Sequence, residues 1–308
     1  MPFPIEEKLV IAVASSALFD LSESNRVFAL QGPQAYKQFQ EDHLDTILGK
    51  GVAFPFIQRF LAINRRFPDK QPVEVVLLSR NSAATGKRVF RSIHHYGLDI
   101  SRAAFLEGKS PYEYIPSFNA SLFLSANETD VQRAIEAGYP AGVVLPGTLP
   151  EEEGNDELRI AFDFDGVIAD DESEAVYRSG KLDAFHAYET ERSHIPHQGG
   201  PLADLFRKLS NLQKLEDREV ERDPAYRRTV RTAIITARSA PAHERVITTL
   251  EHWGVSANET FFLGGMAKHR ILAQLKPHMF FDDQRVHLTS GESGIPMVHI
   301  PFGVTNRS

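Results

Sequence analysis

Two pairs of aspartates in the second half of the chain have the spacing that phosphoryl chemistry needs. Asp163 and Asp165 follow one short apolar run, and Gly166 after them allows the backbone to turn tightly. Asp282 and Asp283 follow a second apolar run. Carboxylates held close together repel one another and need a cation, a shared proton or a divalent metal. Four of them would form a hard oxygen site of the kind that Mg²⁺ occupies with waters and a substrate phosphate.

Three further residues suit a bound phosphoryl group. Thr236 and Ala237 end another apolar run, where a hydroxyl and backbone N–H groups entering a helix can hold an anion. Lys268 can offset negative charge on the phosphoryl oxygens. One aspartate of the first pair would attack phosphorus and the other would protonate the leaving oxygen. Each motif alone has an ordinary structural explanation, and their order along the chain favours the catalytic interpretation.

The elements that would position these residues are short apolar strands alternating with helical stretches. This alternation predicts a doubly wound, Rossmann-like parallel α/β sheet, which places its chemistry at the carboxyl ends of the strands. Gly254 lies where a helix should stop. In the second half of the chain, strands are predicted over 159–164, 232–235, 260–263, 279–281 and 297–300, and helices over 242–253 and 268–275.

The chain also resembles itself. Residues 75–127 align without a gap on 232–284, with 10 identities over 53 positions, and upstream residues align at an offset of 149. We therefore expect two parallel-sheet lobes related by internal duplication. The expected domains are residues 1–150 and 156–308, joined by a linker over 146–156 that is rich in proline, glycine and acidic residues.

The first copy has the framework of the second without its charges. Among the first-copy residues that align with the charged set and with Thr236, only Ser79 keeps a similar group, a hydroxyl. Ser79 aligns with Thr236. Domain 1–150 is therefore expected to be non-catalytic, and the catalytic centre is expected in 156–308. The residues that replace the charged set are Ala14 for Asp163, Ser16 for Asp165, Pro111 for Lys268, and Ser125 with Ala126 for the late aspartates.

Composition narrows the class of protein. The chain has 308 residues and a formal net charge of −7, so nucleic acid is not an expected partner. It has no cysteine, which excludes disulfides, thiolate metal sites and thiol catalysis. The apolar segment 9–19 imitates a signal peptide, but its acidic flank favours a buried first strand. No apolar run reaches the length of a membrane span, and a soluble, cytoplasmic protein is expected.

Asp163, Asp165, Thr236, Lys268 and the Asp282–Asp283 pair together resemble the four motifs of the haloacid dehalogenase superfamily of phosphatases. Further segments resemble the cytosolic 5′-nucleotidase type I family, and they are spread in order over almost the whole chain. These segments are 11–20 (IAVASSALFD), 53–67 (AFPFIQRFLAINRRF), 171–177 (DESEAVY), 234–240 (IITARSA), 276–284 (KPHMFFDDQ) and 301–304 (PFGV).

The resemblance implies Mg²⁺-dependent hydrolysis of nucleoside 5′-monophosphates, with AMP-like substrates preferred. It makes Asp163 the nucleophile and Asp165 the general acid and base. It further implies that Thr236 and Lys268, with the backbone at Ala237, bind phosphate. The metal ligands that it implies are Asp163, Asp165, Asp282 and Asp283.

Recognition of the nucleoside is less defined by the sequence. The segment from about residue 170 to about residue 230 separates the Asp163–Asp165 motif from Thr236. It is predicted to form a helical cap. Candidate substrate-binding residues are Arg80, Asn81, Asp171 and Arg238. For 170–172 an acidic helix start is the favoured explanation, and for 79–82 a structural role explains the residues equally well. The helical spacing of Phe54, Phe56 and Phe60 favours core packing over stacking on a base, and His94, His95, His194 and His197 are interpreted as surface or packing residues.

Two other functions stay open at this point. One is a phosphatase of the same chemistry that acts on sugar phosphates or another small phosphomonoester. The other is a nucleotide-binding regulator that has lost turnover. The sequence does not determine the oligomeric state, and a homo-oligomer is compatible with it. A small-molecule substrate is the expected partner, with neither nucleic acid nor a membrane.

Overall fold

The computed structural model describes residues 3–147, 156–288 and 294–306. Most of the predicted linker, residues 148–155, lies outside these ranges. The chain divides into two compact units, Met1–Val144 and Leu145–Ser308. Within the described ranges, no helix combines the length and the apolar character that crossing a membrane requires.

Both units are built from alternating strands and helices. The helices are α1 Ser15–Leu18, α2 Ser22–Asp42, α3 Phe54–Arg66, α4 Gly86–His95, α5 Glu128–Glu136, α6 Glu172–Glu191, α7 Ala203–Arg222, α8 His243–Trp253 and α9 His269–Leu275. The strands are β1 Leu9–Val13, β2 Phe19–Asp20, β3 Gly49–Lys50, β4 Val73–Ser79, β5 Arg102–Phe105, β6 Ala120–Ser125, β7 Ala141–Val144, β8 Leu158–Phe162, β9 Val230–Thr236, β10 Glu259–Phe262, β11 Met279–Asp282 and β12 Met297–His299.

The first unit contains parallel strands in the order β5-β4-β1-β6-β7. Its central strand β1 is buried along its whole length, as a strand with parallel neighbours on both sides requires. The apolar segment 9–19 therefore begins with a core strand, as predicted. A small antiparallel pair, β2 with β3, accompanies this sheet.

The second unit has parallel strands in the order β10-β9-β8-β11-β12. The five predicted strands are all present, with ends that differ by one or two residues. Helix α8 ends at Gly254, whose left-handed φ of 65° is the conformation a helix stop needs. The predicted α/β fold, with parallel sheets and helices on both sides, is confirmed.

The two units share more than the type of fold. Their strand orders correspond one to one, and the strand registers repeat with the sequence offsets. Ile11 pairs with Val75 in the first unit, and Ile160 pairs with Thr232 in the second. Descent of the two units from one duplicated ancestor is consistent with these registers and stays a prediction.

The segment predicted as a cap consists of two different helices. Helix α7 buries an apolar face, and its Phe206 packs edge-on against Phe162 of the sheet at 5.5 Å between ring centroids. This half therefore behaves as a crossover helix that completes the core. Helix α6 is more exposed and breaks at Lys181, but it buries Glu189. A covering role for the segment stays a prediction.

Candidate active site

The catalytic candidates lie where three neighbouring strands of the second unit end. Asp163 follows β8, Thr236 is the last residue of β9, and Asp282 is the last residue of β11. Strand β8 lies between β9 and β11, and all three run parallel. Their carboxyl ends therefore meet at one edge of the sheet, which is where doubly wound sheets bind ligands.

Lys268 contacts an aspartate of each pair, Asp163 and Asp282. Its Nζ lies 2.7 Å from Asp163 Oδ2 and 2.7 Å from Asp282 Oδ2. All three side chains are buried, with no more than 6% of any of them exposed. Asp163 and Asp282 thus face the same point from separate strands, as the predicted site requires.

Asp283 accepts hydrogen bonds from two residues of the last described segment, 294–306. Thr305 Oγ1 donates to Asp283 Oδ2 at 2.7 Å, and Asn306 Nδ2 donates to the Asp283 carbonyl at 2.9 Å. Asp283 Oδ1 is buried without a hydrogen-bond partner in the described structure. Gly166 lies against this carboxylate: a Cβ there would lie 2.8 Å from Asp283 Cγ. Its φ of 71° also favours glycine.

The buried carboxylates perturb one another. Burial raises the pKa of Asp163 to about 7, with Asp282 and Asp165 adding to the rise and Lys268 opposing it. Burial and the nearby Asp163 raise the pKa of Asp283 to about 8. In the described structure Lys268 contacts two of these three carboxylates, and a divalent cation would offset the remaining negative charge.

The donor set fits a metal ion. Donor atoms of Asp163, Asp282 and His287 all lie within 4.8 Å of one another. His287 Nδ1 is 3.2 Å from both carboxylate oxygens of Asp282, a contact that the sequence interpretation did not include. The unpartnered oxygen of Asp283 is a further acceptor for a cation. Acidic groups of the second unit could therefore hold a metal ion, and their oxygen-rich chemistry suits a hard one.

Asp165 has a different neighbour from the other aspartates. Its two carboxylate oxygens accept a bidentate pair of hydrogen bonds from Arg238, at 2.8 Å from Nε and 2.7 Å from Nη2. Burial raises the pKa of Asp165, but the Arg238 charge and its hydrogen bonds outweigh that effect and lower it. The role of Asp165 as a metal ligand stays a prediction.

Two of the predicted phosphate ligands, Thr236 and Ala237, lie at the end of β9. Thr236 is buried and its Oγ1 accepts from the Arg238 backbone N–H at 3.2 Å, while Ala237 is exposed. Helix α8 begins at His243, one residue after the predicted start at 242. Residues 237–242 therefore separate Thr236 from the helix, and the anion cradle expected here would be formed by this loop.

The substrate-binding candidates all have protein partners. Asp171 Oδ2 accepts from the Val304 backbone N–H at 2.7 Å. In the first unit, Arg80 Nε donates to Asp130 at 2.7 Å, and Asn81 Oδ1 accepts from Tyr36 at 2.8 Å. Arg238 contacts Asp165 as described. Their roles in substrate binding remain predictions.

The first unit has no charge at the positions that match the second unit's aspartates, where it has Ala14, Ser16, Ser125 and Ala126. Ser79, which matches Thr236, shares a hydrogen bond of 2.9 Å with Ser15. The predicted core phenylalanines Phe54, Phe56 and Phe60 are fully buried. His94, His95 and His194 are surface residues, and His197 is a packing residue that is buried beside Arg238.

The α/β fold and the charged residues at the carboxyl ends of β8, β9 and β11 are typical of a hydrolase. Comparison with known proteins identifies the family. The model of the 5′-nucleotidase family matches residues 1–307, so the chain belongs to the 5′-nucleotidase family. It is 34% identical to human cytosolic 5′-nucleotidase 1B over 299 residues, which is 94% of this chain and 48% of that protein. The chain thus spans about half of the length of this curated relative.

Proposed function

We propose that this protein is a Mg²⁺-dependent 5′-nucleotidase that hydrolyses nucleoside 5′-monophosphates, with AMP-like substrates preferred, to a nucleoside and phosphate. The observation that carries the proposal is the buried contact of Lys268 with both Asp163 and Asp282. Membership of the 5′-nucleotidase family supports the reaction class. A cytoplasmic location is part of the proposal, in keeping with the word cytosolic in the relative's name.

In the first step, an oxygen of Asp163 attacks the phosphorus atom and the bond from phosphorus to the 5′ oxygen breaks. The product of this step is an aspartyl-phosphate on Asp163. The leaving 5′ oxygen takes its proton from Asp165. Lys268 and the hydroxyl of Thr236, with the backbone at Ala237, hold the phosphoryl oxygens.

In the second step, water attacks the aspartyl-phosphate and its proton passes to Asp165, which returns free phosphate and the Asp163 carboxylate. Arg238 favours the ionised form of Asp165, which accepts this proton, and opposes the protonated form that the first step uses. Asp163, Asp282 and Asp283, with His287 close by, would hold the metal ion. Mg²⁺ bound there would neutralise charge on the transferring phosphoryl group.

A panel of substrates tests the proposal. AMP, IMP, CMP, deoxynucleotides and sugar phosphates are supplied at equal concentration with Mg²⁺, and released phosphate is measured. We expect the fastest release from AMP-like nucleotides. Fast release from sugar phosphates with slow release from nucleotides would favour the phosphatase alternative. Binding of nucleotides without phosphate release would favour the regulator alternative.

A further inference from the structure

The guanidinium of Arg238 is the centre of a buried network behind Asp165. Four of its N–H groups bind oxygen acceptors, and the fifth faces a histidine ring nitrogen. Nε and one N–H of Nη2 bind Asp165, the other N–H of Nη2 is directed to His197 Nε2 at 3.1 Å, and Nη1 binds Glu189 and the Ala242 carbonyl. A guanidinium with four N–H groups bound has one orientation, since any rotation breaks several contacts together.

Glu189 comes from helix α6 and is fully buried. Its Oε2 accepts from Arg238, and its Oε1 accepts from Ser173 at 2.6 Å and from Arg245 at 3.0 Å. Arg245 is itself buried and also donates to Glu172. One buried carboxylate thus lies between two buried guanidinium groups and fixes the side of Arg238 that faces away from Asp165.

His197 fixes the same guanidinium from a second direction. Its side chain is fully buried, and its ring packs edge-on against Phe164, the residue between the two aspartates of the first motif. Its Nε2 faces an Arg238 donor, and its Nδ1 lies 3.5 Å from Asp170 Oδ1. Its Nε2 also lies 3.6 Å from Glu189 Oε2, so the imidazole packs against both the guanidinium and the carboxylate that binds it.

We propose that Glu189 and His197 are positioning residues that hold Arg238 in the one orientation in which it fixes the carboxylate of Asp165. The proposal rests on the proposed function, because Asp165 is the group that exchanges protons in that reaction. Neither residue touches the Asp163, Lys268 and Asp282 cluster in the described contacts. Their effect on turnover would therefore pass through Arg238 and Asp165.

Glu189→Gln tests the proposal, with Glu216→Gln as the matched control. Glu216, in helix α7, is also a fully buried glutamate, but it binds Thr229 and Val230 at the opposite end of β9. A misplacement of about 1 Å lowers a rate about 100-fold. We expect Glu189→Gln to lower kcat about 10- to 100-fold with KM changed less than about twofold, and Glu216→Gln to leave kcat of the folded protein unchanged.

The background of Asp165→Asn separates positioning from stability. If Glu189 acts through Asp165, adding Glu189→Gln to Asp165→Asn changes kcat less than about twofold. An equal loss of kcat in both backgrounds, or no loss in either, would overturn the proposal. Arg238→Lys should lower kcat as Glu189→Gln does, because an ammonium keeps the charge but lacks the two-pronged contact.

A second measurement does not depend on catalysis. In protein labelled with ¹⁵N-arginine, the Nε–H signal of Arg238, assigned by its loss in Arg238→Lys, should exchange slowly with water. His197→Ala and Glu189→Gln should each accelerate that exchange, and Glu216→Gln should not. Unchanged exchange in both would overturn the positioning proposal. If instead the exchange accelerates while the wild type hydrolyses no nucleotide, the proposed function fails and the network stands.

Discussion

Gly166 offers the sharpest test of how closely the site is packed, because Gly254 provides a matched control. Both residues lie in the second unit and have left-handed φ values, 71° and 65°. A Cβ on Gly254 would meet nothing within 4 Å, whereas a Cβ on Gly166 would lie 2.8 Å from Cγ and Oδ2 of Asp283. Substitution by alanine therefore adds similar backbone strain at both positions and a steric clash at only one.

The magnitudes follow from this geometry. The left-handed conformation costs a residue with a Cβ about 1–2 kcal/mol, so Gly254→Ala should lower the free energy of unfolding by that amount and leave kcat unchanged. Ordinary contact begins at 3.4 Å, so Gly166→Ala would displace the Asp283 carboxylate by about 0.6 Å. Displacement on that scale should lower kcat by about 10- to 100-fold, which corresponds to about 1.4–2.8 kcal/mol of barrier.

Urea unfolding and phosphate release from AMP, measured on both variants, give the two quantities. The Mg²⁺ concentration for half-maximal rate should also rise in Gly166→Ala, because Asp283 is a proposed ligand. If Gly166→Ala loses stability but keeps the wild-type kcat and Mg²⁺ requirement, the close approach to Asp283 has no functional consequence and the reasoning is refuted.

Three further outcomes are expected. Asp163→Asn should leave less than about a hundredth of the phosphate release while the circular dichroism spectrum is unchanged; a faster variant would contradict a covalent step. Lys268→Met should lower kcat at least 100-fold, or about 2.7 kcal/mol of barrier, and lower the unfolding midpoint, because Asp163 and Asp282 lose their shared cation. Burial raises the pKa of Glu74 against the opposing Arg102, so its ionisation should destabilise the fold as the pH rises above 4.5. Glu74→Gln should remove that part of the pH dependence between about pH 4 and about pH 8 in urea unfolding, and identical dependence in both proteins would contradict it.

Much of the fold could be predicted from the sequence because the strands are short, apolar and separated by clear stops. The run that contains β9 is rich in β-branched residues, and Gly254 marks the end of α8. The packing of α7 on the sheet was not predicted, because the cap was inferred only from the distance between two motifs. Its buried leucines, at helical spacing, were the signal that it packs on the sheet.

The meeting of Asp163 with Asp282 could also be predicted, since parallel strands bring their carboxyl ends to one edge. The partners of these residues could not. His197 has no acidic neighbour at metal-ligand spacing, yet in the structure it lies between Arg238 and Asp170. Thr305 reaches Asp283 from the end of the chain, a contact that depends on tertiary packing and has no local sequence signal.

The most direct test of the central claim is the metal dependence of phosphate release from AMP. The claim is that the strand-end carboxylates of the second unit hold a divalent ion beside Asp163. After treatment with EDTA and its removal, the protein should release no phosphate, and added Mg²⁺ should restore release to a saturating rate. Release at the full rate by the metal-free protein would contradict the claim.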